Sequence, residues 1–154
     1  MKAIIIAMAF ICLGASAACA QKIHEAKVPT MVLSNFKKQF TKAVKPTWEM
    51  EEADFEVNFK NDGTECSAKY DKQGKWLSTE QEIKNAELPV AVKQAIEKEF
   101  PKAEIEESEM VTYPDNKTAY EAEIEMGKQK FEVQFSAEGN ILKKEKILKK
   151  EKKG

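Results

Sequence analysis

The sequence contains no arginine, and this absence narrows the partners that the protein can recognise. All 25 basic residues are lysines, so the forked, bidentate contacts by which arginine holds phosphate are not possible. The lysines are matched by 26 acidic residues, and the formal net charge is -1. A dedicated nucleic-acid-binding protein normally carries a concentrated basic excess. The composition therefore argues against a nucleic-acid partner.

Histidine and cysteine are also scarce, which argues against metal and nucleophilic chemistry. His24 is the only histidine, and Cys66 is the only cysteine beyond residue 20. A zinc centre needs several nitrogen and sulfur ligands that converge, and these two residues cannot supply them. Neither the spacing of an EF-hand nor a glycine-rich phosphate loop occurs in the sequence. We therefore predict that the protein has no catalytic residues, no metal site and no cofactor, and that it is not an enzyme.

The chain starts with the pattern of a secretory signal peptide. Lys2 supplies a positive charge, residues 3–13 are mostly apolar, and Ala18-Cys19-Ala20 forms a small-residue cleavage site. The apolar run is shorter than the roughly 20 residues that a membrane-spanning helix needs. The pattern predicts that residues 1–20 are removed after Ala20 and that the protein is periplasmic or secreted. Lipidation at Cys19 is the alternative, although Ser16 stands where lipoproteins usually have leucine.

Cleavage at this site would leave Cys66 as the sole cysteine, so an internal disulfide is excluded. Cys66 lies in a stretch where apolar and polar residues alternate. This position favours a small buried side chain over a reactive thiol.

A pattern in residues 28–44 recurs about 60 residues further along the chain. Val28-Pro29 and Leu88-Pro89 each precede apolar residues spaced by four, which indicates a helix with proline in its first turn. After each helical stretch the apolar period changes to two, which is typical of antiparallel strands with one buried face. The clearest alternating apolar residues are Phe55, Val57 and Phe59 in the first copy and Phe131, Val133 and Phe135 in the second.

The repeat predicts an α+β fold with a tandem repeat of one helix followed by about four antiparallel strands. A single unit would bury little surface, so both helices are expected to pack on one face of a continuous antiparallel sheet. Asp62-Gly63 is a strong signal for a hairpin turn. The predicted divisions are a signal peptide over 1–20, a linker over 21–27, repeats over 28–84 and 85–148, and a basic tail over 149–154.

The repeated unit resembles the PepSY-like family of small exported bacterial proteins, whose fold is described as similar to that of the beta-lactamase-inhibitory protein. The resemblance implies a non-enzymatic protein that engages a protein or peptide, with inhibition of a hydrolase as one form of such binding. It rests on core and turn residues. These are Leu88, Pro89, Val92, Ile96, Phe100, Pro101, Ala103, Tyr120, Phe131, Val133, Phe135, Gly139 and Leu142 in one copy, and Val28, Pro29, Phe36, Phe40, Ala43, Trp48, Phe55, Asp62, Gly63, Gly74, Trp76 and Leu77 in the other.

Aromatic residues are the first candidates for binding on the helix-free face of the predicted sheet, because tryptophan and tyrosine dominate interface hot spots. Trp76 and Leu77 are adjacent in a predicted strand, so one of them should lie on that face. Tyr113 and Trp48 are further candidates, and core packing is the competing interpretation for Trp48.

Three glutamates form a second candidate group. Glu121, Glu123 and Glu125 alternate along one predicted strand and should place their carboxylates on one face, where they could attract a cation or a basic peptide. The alternative function is therefore an envelope protein that binds a small ligand or a cation. A solvated face, offset by nearby lysines, is the simpler interpretation of this row.

Charge is distributed unevenly along the chain. Residues 143–153 hold seven lysines and two glutamates, whereas residues 21–142 carry a net charge of -7. The lysines predict either contact with anionic lipid or, more simply, a frayed solubilising end. A partner of the acidic body is expected to be neutral or basic.

Overall fold

The computed structural model describes residues 21–51 and 53–147. The predicted signal peptide, Cys19 and the predicted tail over 149–154 lie outside these residues. Short 3-10 helices at Glu25–Lys27 and Asn85–Glu87 precede the two α-helices. The main elements are β1 (Gln21–Ile23), α1 (Thr30–Gln39), β2 (Ala43–Glu51), β3 (Asp54–Asn61), β4 (Thr64–Tyr70), β5 (Trp76–Glu82), α2 (Val90–Glu99), β6 (Glu104–Thr112), β7 (Thr118–Met126), β8 (Gln129–Ser136) and β9 (Ile141–Ile147).

The nine strands form one antiparallel sheet in which each strand pairs with the next along the chain, in the order β1 to β9. Helix α1 lies in the connection between β1 and β2, and α2 in the connection between β5 and β6. Strands β5 and β6 join the two halves of the sheet through the register that runs from Thr79 opposite Thr112 to Glu82 opposite Glu109. The sheet is therefore continuous.

The predicted fold class, a tandem repeat of one helix and about four strands with the helices packed on the sheet, is wrong. Strands make up 53% of the described residues, and the α- and 3-10 helices together make up 21%, so this part of the chain is mainly a nine-stranded antiparallel sheet with two short α-helices. Each α-helix has ten residues and only two buried side chains. The helical spacing in the sequence corresponds to two helices of ten residues each, and most of the described residues outside them are in strands.

Two segments without a strand signal contribute to this error. Residues Gln21–Ile23, which were expected to be linker, form β1 against β2. Residues 143–147, for which the lysines predict a frayed end, complete β9 against β8. Pairing of edge strands uses backbone groups, so it does not require apolar side chains, and lysine is common on such edges.

The first half of the core is built around aromatic residues. Phe36 of α1 meets Trp48 of β2 and Phe59 of β3 in edge-on contacts, with ring centroids 5.4 Å and 5.1 Å apart. Such pairs add about 0.5–1.5 kcal/mol to the stabilisation that burial supplies. Trp48 is only 3% exposed, and its indole Nε1 has no hydrogen-bond partner among the described residues.

The second half of the core contains mainly aliphatic residues and phenylalanine. Val92 and Ile96 of α2 lie in a cluster with Ile124 of β7 and Phe135 of β8. Phe100 is also buried there, and the ammonium of Lys144 in β9 lies 4.5 Å from its ring centroid. A cation over an aromatic face is attracted by the ring quadrupole, so Lys144 helps to hold β9 in place.

Two glycine turns lie against the helices. Gly139 has a φ of +83°, and a Cβ atom at this position would lie 2.5 Å from the carbonyl oxygen of Ala91 in α2. Gly74 makes the equivalent approach to α1, where the Asn35 side chain donates a 2.8 Å hydrogen bond to the Gly74 carbonyl. Only glycine has both the freedom at positive φ and the small size that such contacts need.

In the part of the chain described, neither helix is long and apolar enough to cross a membrane.

Candidate binding cleft

The side chains that alternate with the core residues form the polar face of the sheet. Along β3, for example, Phe55 and Val57 are buried in the core, whereas Glu56 and Asn58 lie on the polar face. A cleft of about 780 Å³ lies on this face and is lined by side chains from β2 through β9. This volume falls in the range of about 300–1,000 Å³ that is usual for ligand sites.

The cleft is strongly acidic, because ten carboxylates but only two lysines line it. The carboxylates are those of Glu51, Glu56, Glu65, Glu80, Glu107, Glu109, Glu121, Glu123, Glu132 and Glu145.

Strand register places several of these carboxylates opposite one another. Glu109 of β6 lies opposite Glu121 of β7, and Glu123 lies opposite Glu132 of β8. Like charges directly across a strand pair are destabilising. The stability of the sheet therefore does not explain this arrangement.

Burial and mutual repulsion keep protons on the central carboxylates. Burial, together with the charges of Glu80 and Glu121, raises the pKa of Glu109 to about 8. Burial, together with the charges of Glu132 and Glu80, raises the pKa of Glu121 to about 7. At neutral pH these two groups are therefore partly protonated.

The two lysines of the lining lie on β4 and β9. Lys69 forms an ion pair with Glu51 at 2.7 Å and lies 3.9 Å from Glu56. Lys143 pairs with Glu145 at 3.2 Å. Within residues 21–51 and 53–147, no lysine forms an ion pair with the central carboxylates Glu80, Glu109, Glu121 and Glu132. The charge of Lys143 acts on Glu121 and Glu132 and lowers the pKa of each against the effect of burial, so the negative charge of the centre is only partly compensated when these groups are ionised.

Hydrogen bonds position two of the central carboxylates. The Tyr113 hydroxyl donates to Gln134 Oε1 at 3.0 Å, and Gln134 Nε2 donates to Glu121 Oε2 at 3.3 Å. The Ser67 hydroxyl donates to Glu80 Oε2 at 2.9 Å. Both carboxylates are thus oriented by side chains of neighbouring strands.

The structure brings together only some of the predicted binding residues. Tyr113, Glu121 and Glu123 line the cleft, and Glu123 forms an ion pair with Lys130. Glu125 lies further along the same strand and is not part of the lining. Trp48 is in the core.

Trp76 packs against the core cluster, so it lies on the core side of the sheet. Its Nε1 donates a 2.7 Å hydrogen bond to the Ser78 carbonyl. The two tryptophans are therefore not part of the cleft.

Sequence reasoning missed the contribution of β5, β6 and β9 to the cleft. Glu80, Glu109 and Lys143 line it, but none was proposed as a binding residue. A signal for β6 was available, because Glu107 and Glu109 alternate around the buried Ser108. What the sequence could not show was that β5 pairs with β6 and so joins both halves of the acidic face.

The cleft offers little for catalysis. The side chain of Cys66 belongs to the core cluster, opposite Phe59, and burial raises the pKa of its thiol, so the thiol is protonated at neutral pH. His24 caps the 3-10 helix near β1, where its Nδ1 accepts a hydrogen bond from the Ala26 amide. Among the described residues, no three histidine, cysteine, aspartate or glutamate side chains converge closely enough to hold a metal ion.

A family model described as "Putative beta-lactamase-inhibitor-like, PepSY-like" matches residues 17–66 and 53–143. The chain belongs to this family, and the resemblance found in the sequence is confirmed. No curated protein matches the chain.

Solved structures from Bacteroides species share the fold. A structure from Bacteroides eggerthii, described as that of putative periplasmic proteins, has a TM-score of 0.70 and 19% identity and covers 78% of this chain and 89% of its own. A DUF2874 family protein from Bacteroides uniformis has a TM-score of 0.69 and 21% identity, with coverage of 77% and 89%. A BLIP-like protein from Bacteroides fragilis has a TM-score of 0.63 and 22% identity, with coverage of 82% and 91%.

Proposed function

We propose that the protein is an exported, non-enzymatic binding protein that engages another protein or a peptide through the polar face of its sheet. The observation that carries this proposal is the cleft of about 780 Å³ on a sheet face that neither helix covers. The cleft holds oriented polar side chains and a tyrosine, which are suited to recognition.

A non-enzymatic role is supported by the placement of the reactive groups. A nucleophilic side chain needs an adjacent base to activate it. Cys66 is protonated at neutral pH, and its thiol donates a 3.7 Å hydrogen bond to the Thr64 carbonyl rather than to a titratable group. His24, the only histidine, belongs to a different part of the fold.

Export is supported by the signal-peptide pattern over residues 1–20 and by the similar structure from Bacteroides eggerthii, which is described as periplasmic. Inhibition of a hydrolase is one form that the binding would take, since the family description refers to a beta-lactamase inhibitor.

Site-specific photo-crosslinking in cells tests the binding role. A photoreactive phenylalanine analogue replaces Tyr113 in the cleft, and in a control chain it replaces Lys38, which is exposed on α1. We expect a discrete crosslinked species in the periplasmic fraction from position 113 and none from position 38. Equal products from both positions, or none from position 113, would count against the proposal.

A second candidate function is binding of a small organic cation, which the excess of carboxylates in the cleft favours. Titration of the purified protein with spermidine and with calcium, followed by thermal unfolding, tests it. A saturable rise in Tm with spermidine would support this function, and a flat response to both would remove it.

A further inference from the structure

The volume of the cleft limits what can occupy it. About 780 Å³ accommodates a few amino-acid residues but not a folded domain. The cleft is lined by side chains from β2 to β9, so it extends across the sheet. An elongated occupant therefore matches this surface better than a compact one.

The charge of the lining selects a cationic occupant. Ten carboxylates line the cleft, and five of them form ion pairs with lysines, whereas Glu80, Glu109, Glu121 and Glu132 form none among the described residues. Opposite charge on a partner would relieve the repulsion across β6 and β7, where Glu109 faces Glu121. An anionic or neutral occupant would leave this repulsion to be relieved by protonation alone.

The chemistry of the centre favours an ammonium or guanidinium group over a bare metal ion. Among the described residues, no three carboxylates lie close enough together to hold a metal ion. Glu80 and Glu121 are instead oriented separately, by Ser67 and Gln134, on different strands. A long basic side chain can bridge such separated acceptors, and the ring of Tyr113 on the wall of the cleft suits a cationic head group.

We propose, on the basis of the binding role proposed above, that the cleft receives a short extended peptide segment that carries lysine or arginine side chains. One of these side chains lies between Glu109 and Glu121. The rest of the segment follows the polar face towards Glu56 in one direction and Glu132 in the other. The partner is thus a protein with an exposed basic segment.

Fluorescence polarisation with short labelled peptides tests this assignment. Three peptides alternate alanine with lysine, glutamine or glutamate. We expect saturable binding of the lysine peptide only. The protein with Glu109→Gln and Glu121→Gln should bind it about tenfold more weakly, because two carboxylates at the centre are neutralised.

A matched control removes the same charge elsewhere. Glu97→Gln with Glu99→Gln lies on the exposed side of α2, away from the cleft, and should change affinity by less than about twofold. Circular dichroism checks that both double variants are folded. Equal weakening by both pairs would show non-specific attraction and overturn the assignment.

Equal binding of the glutamine and lysine peptides, or binding of spermidine but of none of the peptides, would overturn the basic-segment assignment. If crosslinking at position 113 still captures a partner in cells while the lysine peptide fails to bind, this inference fails and the broader binding role stands. If the lysine peptide binds but no cellular partner crosslinks at position 113, the binding role in cells is contradicted, whereas the preference of the cleft for a basic segment stands.

Discussion

Glu109 and Glu121 lie directly opposite each other on the neighbouring strands β6 and β7, and both side chains face the same cleft. Burial is the main cause of the raised pKa of each carboxyl, and neighbouring carboxylates add to it. This pair makes the stability of the protein depend on pH near neutrality.

The raised pKa of Glu109 makes the stability of the folded protein depend on pH. Because the pKa of Glu109 is about 8 in the folded protein and about 4.5 ordinarily, the folded state binds more protons in this interval. The stabilisation is complete below pH about 4.5 and is lost as pH rises through about 8. We expect Tm to fall steadily across this range in thermal unfolding monitored by circular dichroism. A Tm that rises with pH over this window would contradict the assignment.

Removal of the carboxylates of Glu109 and Glu121 should stabilise the protein. Glu109→Gln with Glu121→Gln removes two partly buried carboxylates that repel each other, so at pH 8 the double variant should be more stable by on the order of 1 to 2 kcal/mol. It should also show a flatter dependence of Tm on pH. Urea unfolding at two pH values measures both effects, and Glu97→Gln with Glu99→Gln, on exposed α2 positions, should retain the slope of the unaltered protein.

The third prediction concerns the aromatic core. Phe36→Ala removes a ring that contacts Trp48 and Phe59, and it should lower the free energy of unfolding by about 3–5 kcal/mol. Val90→Ala, at an exposed position of α2, should change it by less than about 0.5 kcal/mol. Urea denaturation compares the two, and similar small losses would show that α1 is not integral to the core.

The fourth prediction concerns the turn against α2. Gly139→Ala and Gly63→Ala both place a Cβ at positive φ, with φ values of +83° and +87°. The added Cβ at position 139 would meet the Ala91 carbonyl at 2.5 Å, whereas at position 63 no described atom lies within 4 Å. Gly63→Ala should therefore lose roughly 1 kcal/mol through backbone strain alone, and Gly139→Ala should lose clearly more. Equal losses in thermal unfolding would show that the approach to α2 is readily relaxed.

The strands with the clearest alternation could be predicted from sequence. Phe55, Val57 and Phe59 lie in β3, and the turn that follows contains Asp62 and Gly63, as the sequence indicated. Alternation also separated the buried residues of β3 from the polar ones. The family could be recognised because the pattern that this chain shares with it consists of such core and turn positions.

The overall fold and the composition of the cleft could not be predicted in the same way. The pairing of β5 with β6 joins residues separated by α2, and no local pattern encodes that register. The short strand β1 and the lysine-rich strand β9 have no apolar alternation. For these reasons the predicted fold class is wrong, and the sequence does not indicate that Glu80 and Glu109 line the cleft.

The last strand has a consequence for self-association. Within the described residues, strand β9 lies at one edge of the sheet, where unpaired backbone groups could extend the ladder into a second molecule. It carries Lys143, Lys144 and Lys146 within seven residues. Two such edges would bring like charges together, so the sequence that obscured this strand also protects the protein from growing edge to edge into fibrils.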